Sequence, residues 1–87
     1  MASKILIVDD EELIRWSLSQ DLTNSGYKTV VAADLAEATA ALETENPDVV
    51  LTALRLGRDS GLDVLKVARR GNPELPVIIM TAFADLA

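Results

Sequence analysis

Short, unbroken apolar runs separated by helix-period stretches constrain this chain more than any other feature. Ile5-Leu6-Ile7-Val8, Val49-Val50-Leu51 and Pro76-Val77-Ile78-Ile79-Met80 are each too short for a buried helix. Nor do they carry the polar alternate positions of a strand with one wet face. They read as strands covered on both faces, as in a parallel sheet, where a helix must carry the chain back between strands. The intervening segments supply those helices. From Glu11 to Ser25, Leu13, Ile14, Leu18 and Leu22 fall on one helical face and Trp16 on the opposite one. Asp10 is the expected cap at the start of this helix, and Gly26 the left-handed stop at its end.

Tyr27 to Ala32 is a β-branched strand. Asp34 then caps a second helix, with Glu37 three residues on as a capping box and Leu35, Ala38 and Leu42 facing inward. Asn46-Pro47 ends it and opens the third strand. Leu56 to Gly61 reads as a loop, Ser60 and Asp63 start a third helix running through Arg70, and Gly71-Asn72-Pro73 stops it before the fourth strand. Four strands alternating with three helices predict an open, doubly wound α/β sheet.

The 87 residues suffice for one small domain. With 49% apolar and only 3% aromatic residues, its core is expected to be aliphatic. Net charge is −6, and Arg69-Arg70 is the only basic pair, so the basic face that phosphate-backbone binding requires is missing. Absence of Cys and His removes disulfides, thiolate sites and imidazole ligands, leaving oxygen donors and therefore hard cations such as Mg²⁺, Ca²⁺ or Mn²⁺. No run approaches the roughly 18 apolar residues of a membrane span. A cytosolic location is the expectation.

Ligands of such sheets bind at the carboxyl ends of the strands, where the first strand delivers Asp9 and Asp10. Two carboxylates about 4 Å apart repel by roughly 4 kcal/mol at an effective dielectric near 20, and a divalent cation relieves that repulsion. A plainer alternative is that Asp10, Glu11 and Glu12 complement the helix dipole, worth roughly 0.3–1 kcal/mol each. That leaves Asp9, directly after an apolar strand, without an explanation. The same carboxylates would repel a nucleotide phosphate, and no Gly-rich phosphate loop is present, which argues against Rossmann, P-loop and flavin-binding readings. Thr81, ending the fourth strand, can hydrogen-bond a phosphoryl oxygen or satisfy the strand end, and Ala82 keeps the space beside it open.

Four motifs in order, Ile5-Leu6-Ile7-Val8-Asp9-Asp10-Glu11, Pro47-Asp48-Val49-Val50-Leu51-Thr52, Ser60-Gly61-Leu62-Asp63-Val64-Leu65 and Pro76-Val77-Ile78-Ile79-Met80-Thr81-Ala82, resemble the receiver domain of two-component response regulators. Arg15-Trp16-Ser17-Leu18 and Met80-Thr81-Ala82-Phe83 look most like receivers of the nitrogen-regulatory type that precede sigma-54-dependent activators. The resemblance covers essentially residues 1–87 as a single receiver-like domain and implies a flavodoxin-like fold. It also implies that a sensor histidine kinase donates a phosphoryl group to an aspartate, with Mg²⁺. Carried over by position, Asp10 holds the metal directly, Asp9 through water, and the Arg55 backbone carbonyl is a further ligand. Thr81 contacts the phosphoryl group and switches with it, with Ala82 and Phe83 on the moving segment.

Two departures qualify this. The phosphoacceptor position is Ala53, neither nucleophile nor metal ligand, and neighbouring Thr52 should point to the other face of the sheet. With the other motifs intact, Ala53 reads more readily as a deliberate replacement of aspartate than as a naturally inert receiver. Phosphorylation deficiency and weak or absent Mg²⁺ binding are the expectations. The second departure is that the chain stops at Ala87, where a fourth helix should begin, so the last strand, two helices and a phosphoryl-pairing lysine are expected to be lacking. The fourth strand then becomes an exposed edge and invites a homo-oligomer. The leading reading is a phosphorelay signalling module in transcription regulation, not an enzyme, with no direct contact to nucleic acid or membrane. The alternatives are a self-associating scaffold and, last, a metal-dependent phosphohydrolase.

Overall fold

The computed structural model describes residues 2–81. In chain order they form β1 (Lys4–Val8), α1 (Glu12–Asn24), β2 (Lys28–Ala32), α2 (Leu35–Glu45), β3 (Val49–Ala53), β4 (Arg55–Leu56), β5 (Asp59–Ser60), α3 (Gly61–Gly71) and β6 (Val77–Met80). The expected βα alternation is present, and β6 is the fourth strand of the sequence reading. Among the described residues, the main sheet is parallel with order β2-β1-β3-β6.

Side-chain alternation sorts the strands into two faces. Leu6, Val8 and Val50, all fully buried, pack with Ala38 and Ala41 of α2 and Val64 and Ala68 of α3 in one aliphatic cluster. Full burial of each Val or Leu side chain contributes about 1.5–3 kcal/mol, so this layer dominates the fold's stability. The opposite face carries Ile5, Ile7 and Thr29, and the Ser19 hydroxyl of α1 meets the Thr29 hydroxyl at 2.7 Å. Helices therefore cover both faces, as the alternation predicts.

Coverage by α1 is thin. In the packing of the described residues no α1 side chain is fully buried. Leu13, assigned inward by its period, is 71% exposed, whereas Leu18 and Leu22 are half-buried and Trp16 faces outward as expected at 61% exposure. Leu13 lies in the first turn of α1, which the helical period alone does not bring onto the sheet.

The caps follow sequence at α2 and α3 and depart from it at α1. The Asp34 carboxylate accepts the Glu37 N–H at 2.8 Å, while the Glu37 carboxylate accepts Ala33 N–H at 2.7 Å rather than that of the cap residue. Ser60 accepts Leu62 N–H at 3.0 Å, and Asp63 accepts Ser60 N–H at 3.3 Å. At α1 the cap position is Glu11, not Asp10, and it makes no side-chain capping bond. The Asp9 carboxylate reaches forward over the turn and accepts Glu11 N–H at 2.9 Å. Gly26 does adopt a positive φ of 97°, and Asn46 closes α2 at φ 48° before Pro47.

The segment read as a loop before α3 contains a small antiparallel hairpin, β4 with β5, pairing Arg55 with Ser60 and Leu56 with Asp59. Gly57, at φ 63°, supplies its turn. Leu56 is buried in the main core cluster, which holds the hairpin against the sheet.

Candidate functional site

Parallel pairing aligns the strand ends. Val8 lies opposite Thr52, and Ala53 opposite Met80, so the next residues of β1 and β6, Asp9 and Thr81, reach the same end of the sheet as Ala53. There they line one cavity of about 490 Å³. Asp10 and Glu11 contribute from the turn into α1, Leu54 and Arg55 from the segment after β3, and Ile14 and Met80 its apolar side. The structure thus brings together Asp9, Asp10, Ala53, Arg55 and Thr81. Ala82 and Phe83 lie outside the described residues.

Asp9 is only 9% exposed, and its carboxylate accepts the Glu11 N–H, whereas Asp10 is exposed. The Arg15 guanidinium of α1 donates to the Asp9 backbone carbonyl at 2.8 Å. It ties the helix to the end of β1 and places a positive charge beside the acidic turn, offsetting part of the repulsion there. Thr52 is fully buried on the other face, as alternation predicts, and its hydroxyl donates to the Ala53 carbonyl at 3.0 Å. It therefore presents no hydroxyl to the cavity.

The segment after Ala53 is held from three directions. Leu54 N–H donates to the Met80 carbonyl at 2.9 Å, and Gly61 N–H donates to the Leu54 carbonyl at 2.8 Å. The Asp59 carboxylate accepts Leu35 N–H, at the start of α2, at 3.3 Å. Gly61 approaches so closely that a Cβ there would collide with the Ala53 carbonyl oxygen. Sequence reasoning passed over Gly61, Asp59 and Arg15 as parts of this site. For Gly61 a signal existed, because glycine is a poor first residue for a helix unless backbone must approach closely. No local pattern marks Asp59 or Arg15.

The donor set can be tested against Mg²⁺. This cation takes one or two carboxylates and keeps several waters. At roughly 30 Å³ per water, a cavity of about 490 Å³ accommodates a cation with most of its water shell. Among the described residues no group of three His, Cys, Asp or Glu side chains is placed to hold a metal. The neighbouring carboxylates of Asp9 and Asp10 are donors of the kind this hard cation takes, and Ala53 adds none.

The comparisons with known proteins agree with this arrangement. Residues 5–87 match the family model of the response regulator receiver domain. The DNA-binding transcriptional regulator NtrC of Klebsiella pneumoniae is 44% identical over 80 residues, which span 92% of this chain and 17% of that protein. The alkaline phosphatase synthesis transcriptional regulatory protein PhoP of Bacillus subtilis is 39% identical over 82 residues, 94% of this chain and 34% of that one. The chain thus spans only a minor part of these curated relatives. Among solved structures, a CheY-like receiver domain protein of Methanospirillum hungatei superposes with a TM-score of 0.90 at 32% identity, covering 99% of this chain and 69% of that one. NtrX of Brucella abortus gives 0.87 at 36% identity, covering 93% and 19%. Among the described residues no helix is long and apolar enough to cross a membrane. On sequence, topology and the placement of its acidic strand ends alike, this chain belongs to the response regulator receiver domain family.

Proposed function

We propose that this chain is a phosphorelay receiver module of the nitrogen-regulatory type that cannot be phosphorylated at its usual position. One observation carries the reading: the Ala53 methyl lines the cavity beside Asp9, Asp10 and Thr81, where the family's acceptor carboxylate belongs. Receiver domains are phosphoacceptor signalling modules that take their phosphoryl group from sensor histidine kinases, with Mg²⁺ at the acidic pocket. A carboxylate at this position would attack phosphorus as the bond to the kinase's histidine nitrogen breaks. Bound Mg²⁺ would neutralise charge on the transferring oxygens. Asp10 would hold it directly, Asp9 through water, and Arg55 through its backbone carbonyl. Thr81 would hydrogen-bond a phosphoryl oxygen, with Ala82 and Phe83 on the segment that follows.

Without the acceptor, the module is a signalling element held in its unphosphorylated state and not an enzyme. It acts in the cytoplasm without touching nucleic acid or membrane itself. Self-association is part of the same reading. Among the described residues β6 pairs on one side only, and Ile78 on it is 53% exposed.

Intact mass after incubation with Mg²⁺ and a small phosphodonor tests the central claim, comparing this chain with Ala53→Asp. The expected result is one phosphate on the variant and none on the parent. Phosphate on the parent would overturn the reading.

A further inference from the structure

The hairpin that follows Ala53 is tied to a helix distant in sequence. Asp59, in β5, accepts Leu35 N–H at 3.3 Å across 24 residues. Leu35 is the first residue of α2, and its amide is one of those that no intrahelical carbonyl can satisfy. Asp34, the helix's own cap, is committed to Glu37 N–H and leaves the Leu35 amide to an outside acceptor. A carboxylate there is doubly favoured, by the hydrogen bond and by the positive end of the helix dipole. Asp59 also lies directly opposite Leu56 in the hairpin, and Leu56 follows Arg55 at the cavity wall.

We propose that Asp59 is a positioning residue: by accepting Leu35 N–H it pins the Arg55–Ser60 hairpin to the start of α2 and so holds Arg55 in place at the acidic cavity. The role assigned to Arg55 rests on the metal-site reading above. The position of the cavity wall is then set by three elements, with Met80 of β6 and Gly61 at the start of α3 both fixing Leu54, and α2 fixing the hairpin through Asp59. Loss of the third tie leaves the hairpin anchored by Leu56 and free to shift Arg55 relative to Asp9 and Asp10.

The test is made in the Ala53→Asp chain, with Mg²⁺ as probe, by following amide chemical shifts from Leu54 to Gly57 during titration. Asp59→Ala is expected to weaken Mg²⁺ binding about threefold to tenfold, at or below the lower end of what outer-shell partners of metal ligands contribute. Asp59→Asn keeps an acceptor oxygen and is expected to bind Mg²⁺ like its parent. Hydrogen exchange of the Leu35 amide should accelerate in Asp59→Ala and not in Asp59→Asn. An unchanged Mg²⁺ affinity in Asp59→Ala overturns the proposal, as does unchanged Leu35 exchange. Equal losses in the Asn and Ala variants overturn it too, because they would assign the effect to charge alone. If the Ala53→Asp chain shows no Mg²⁺ response at all, the metal-site reading fails instead. The clamp is then decided by whether Leu35 and Leu56 exchange faster together in Asp59→Ala.

Discussion

Replacing the Ala53 methyl by a carboxylate adds a further negative charge to a cavity already lined by Asp9, Asp10 and the exposed Glu11 of the α1 turn. Asp9 is nearly buried and Asp10 exposed, so the two contribute unequally. A new carboxylate about 4 Å from Asp9 is repelled by roughly 4 kcal/mol at an effective dielectric near 20. Asp10, facing water, adds less than about 1 kcal/mol. The cavity is open to water, and the Arg15 guanidinium lies close to Asp9, so about half of that repulsion should survive relaxation, a net cost of about 2 kcal/mol. For a domain of this size each kcal/mol moves the melting temperature by about 4–8 °C. Ala53→Asp should therefore melt about 8–16 °C below the parent in EDTA. Mg²⁺ at 100 times its Kd for the variant would return about 2.7 kcal/mol, whereas the parent should gain little. Thermal melts followed by circular dichroism, with EDTA or Mg²⁺, measure both effects. A variant that melts at or above the parent temperature in EDTA would refute a clustered acidic site, whatever Mg²⁺ then does.

Gly61→Ala should cost about 1–3 kcal/mol, because its methyl would press on the Ala53 carbonyl. Gly71→Ala, in the same helix but with open space around its Cα, should instead be neutral or stabilising by about 0.5–1 kcal/mol. Urea denaturation of the pair checks this, and equal effects would show that close approach is not what Gly61 provides. On the proposed self-association, light scattering at rising concentration should give a mass above that of the monomer, through the edge of β6 that pairs with no strand among the described residues. A folded monomer at high concentration would exclude self-association by that route.

Much of the candidate site was legible in the sequence, because strand ends announce themselves where an apolar run stops. Asp9, Ala53 and Thr81 each follow or end such a run, and parallel pairing has no choice but to bring those ends together. The Asp34 and Ser60 caps and the left-handed Gly26 likewise rest on interactions spanning a few residues, which the sequence alone determines. What only the tertiary structure decided involves alternatives that are locally equal. Either Asp9 or Asp10 could serve the first amides of α1, and Asp9 does so because its carboxylate emerges from the sheet directly over that turn. Leu13 has the right period for the inner face, yet it stays in water. The closing ties of the cavity, Asp59 to the start of α2 and Gly61 against the Ala53 carbonyl, exist only once separate elements have docked. Their partners are chosen by packing geometry, which no local pattern of residues encodes.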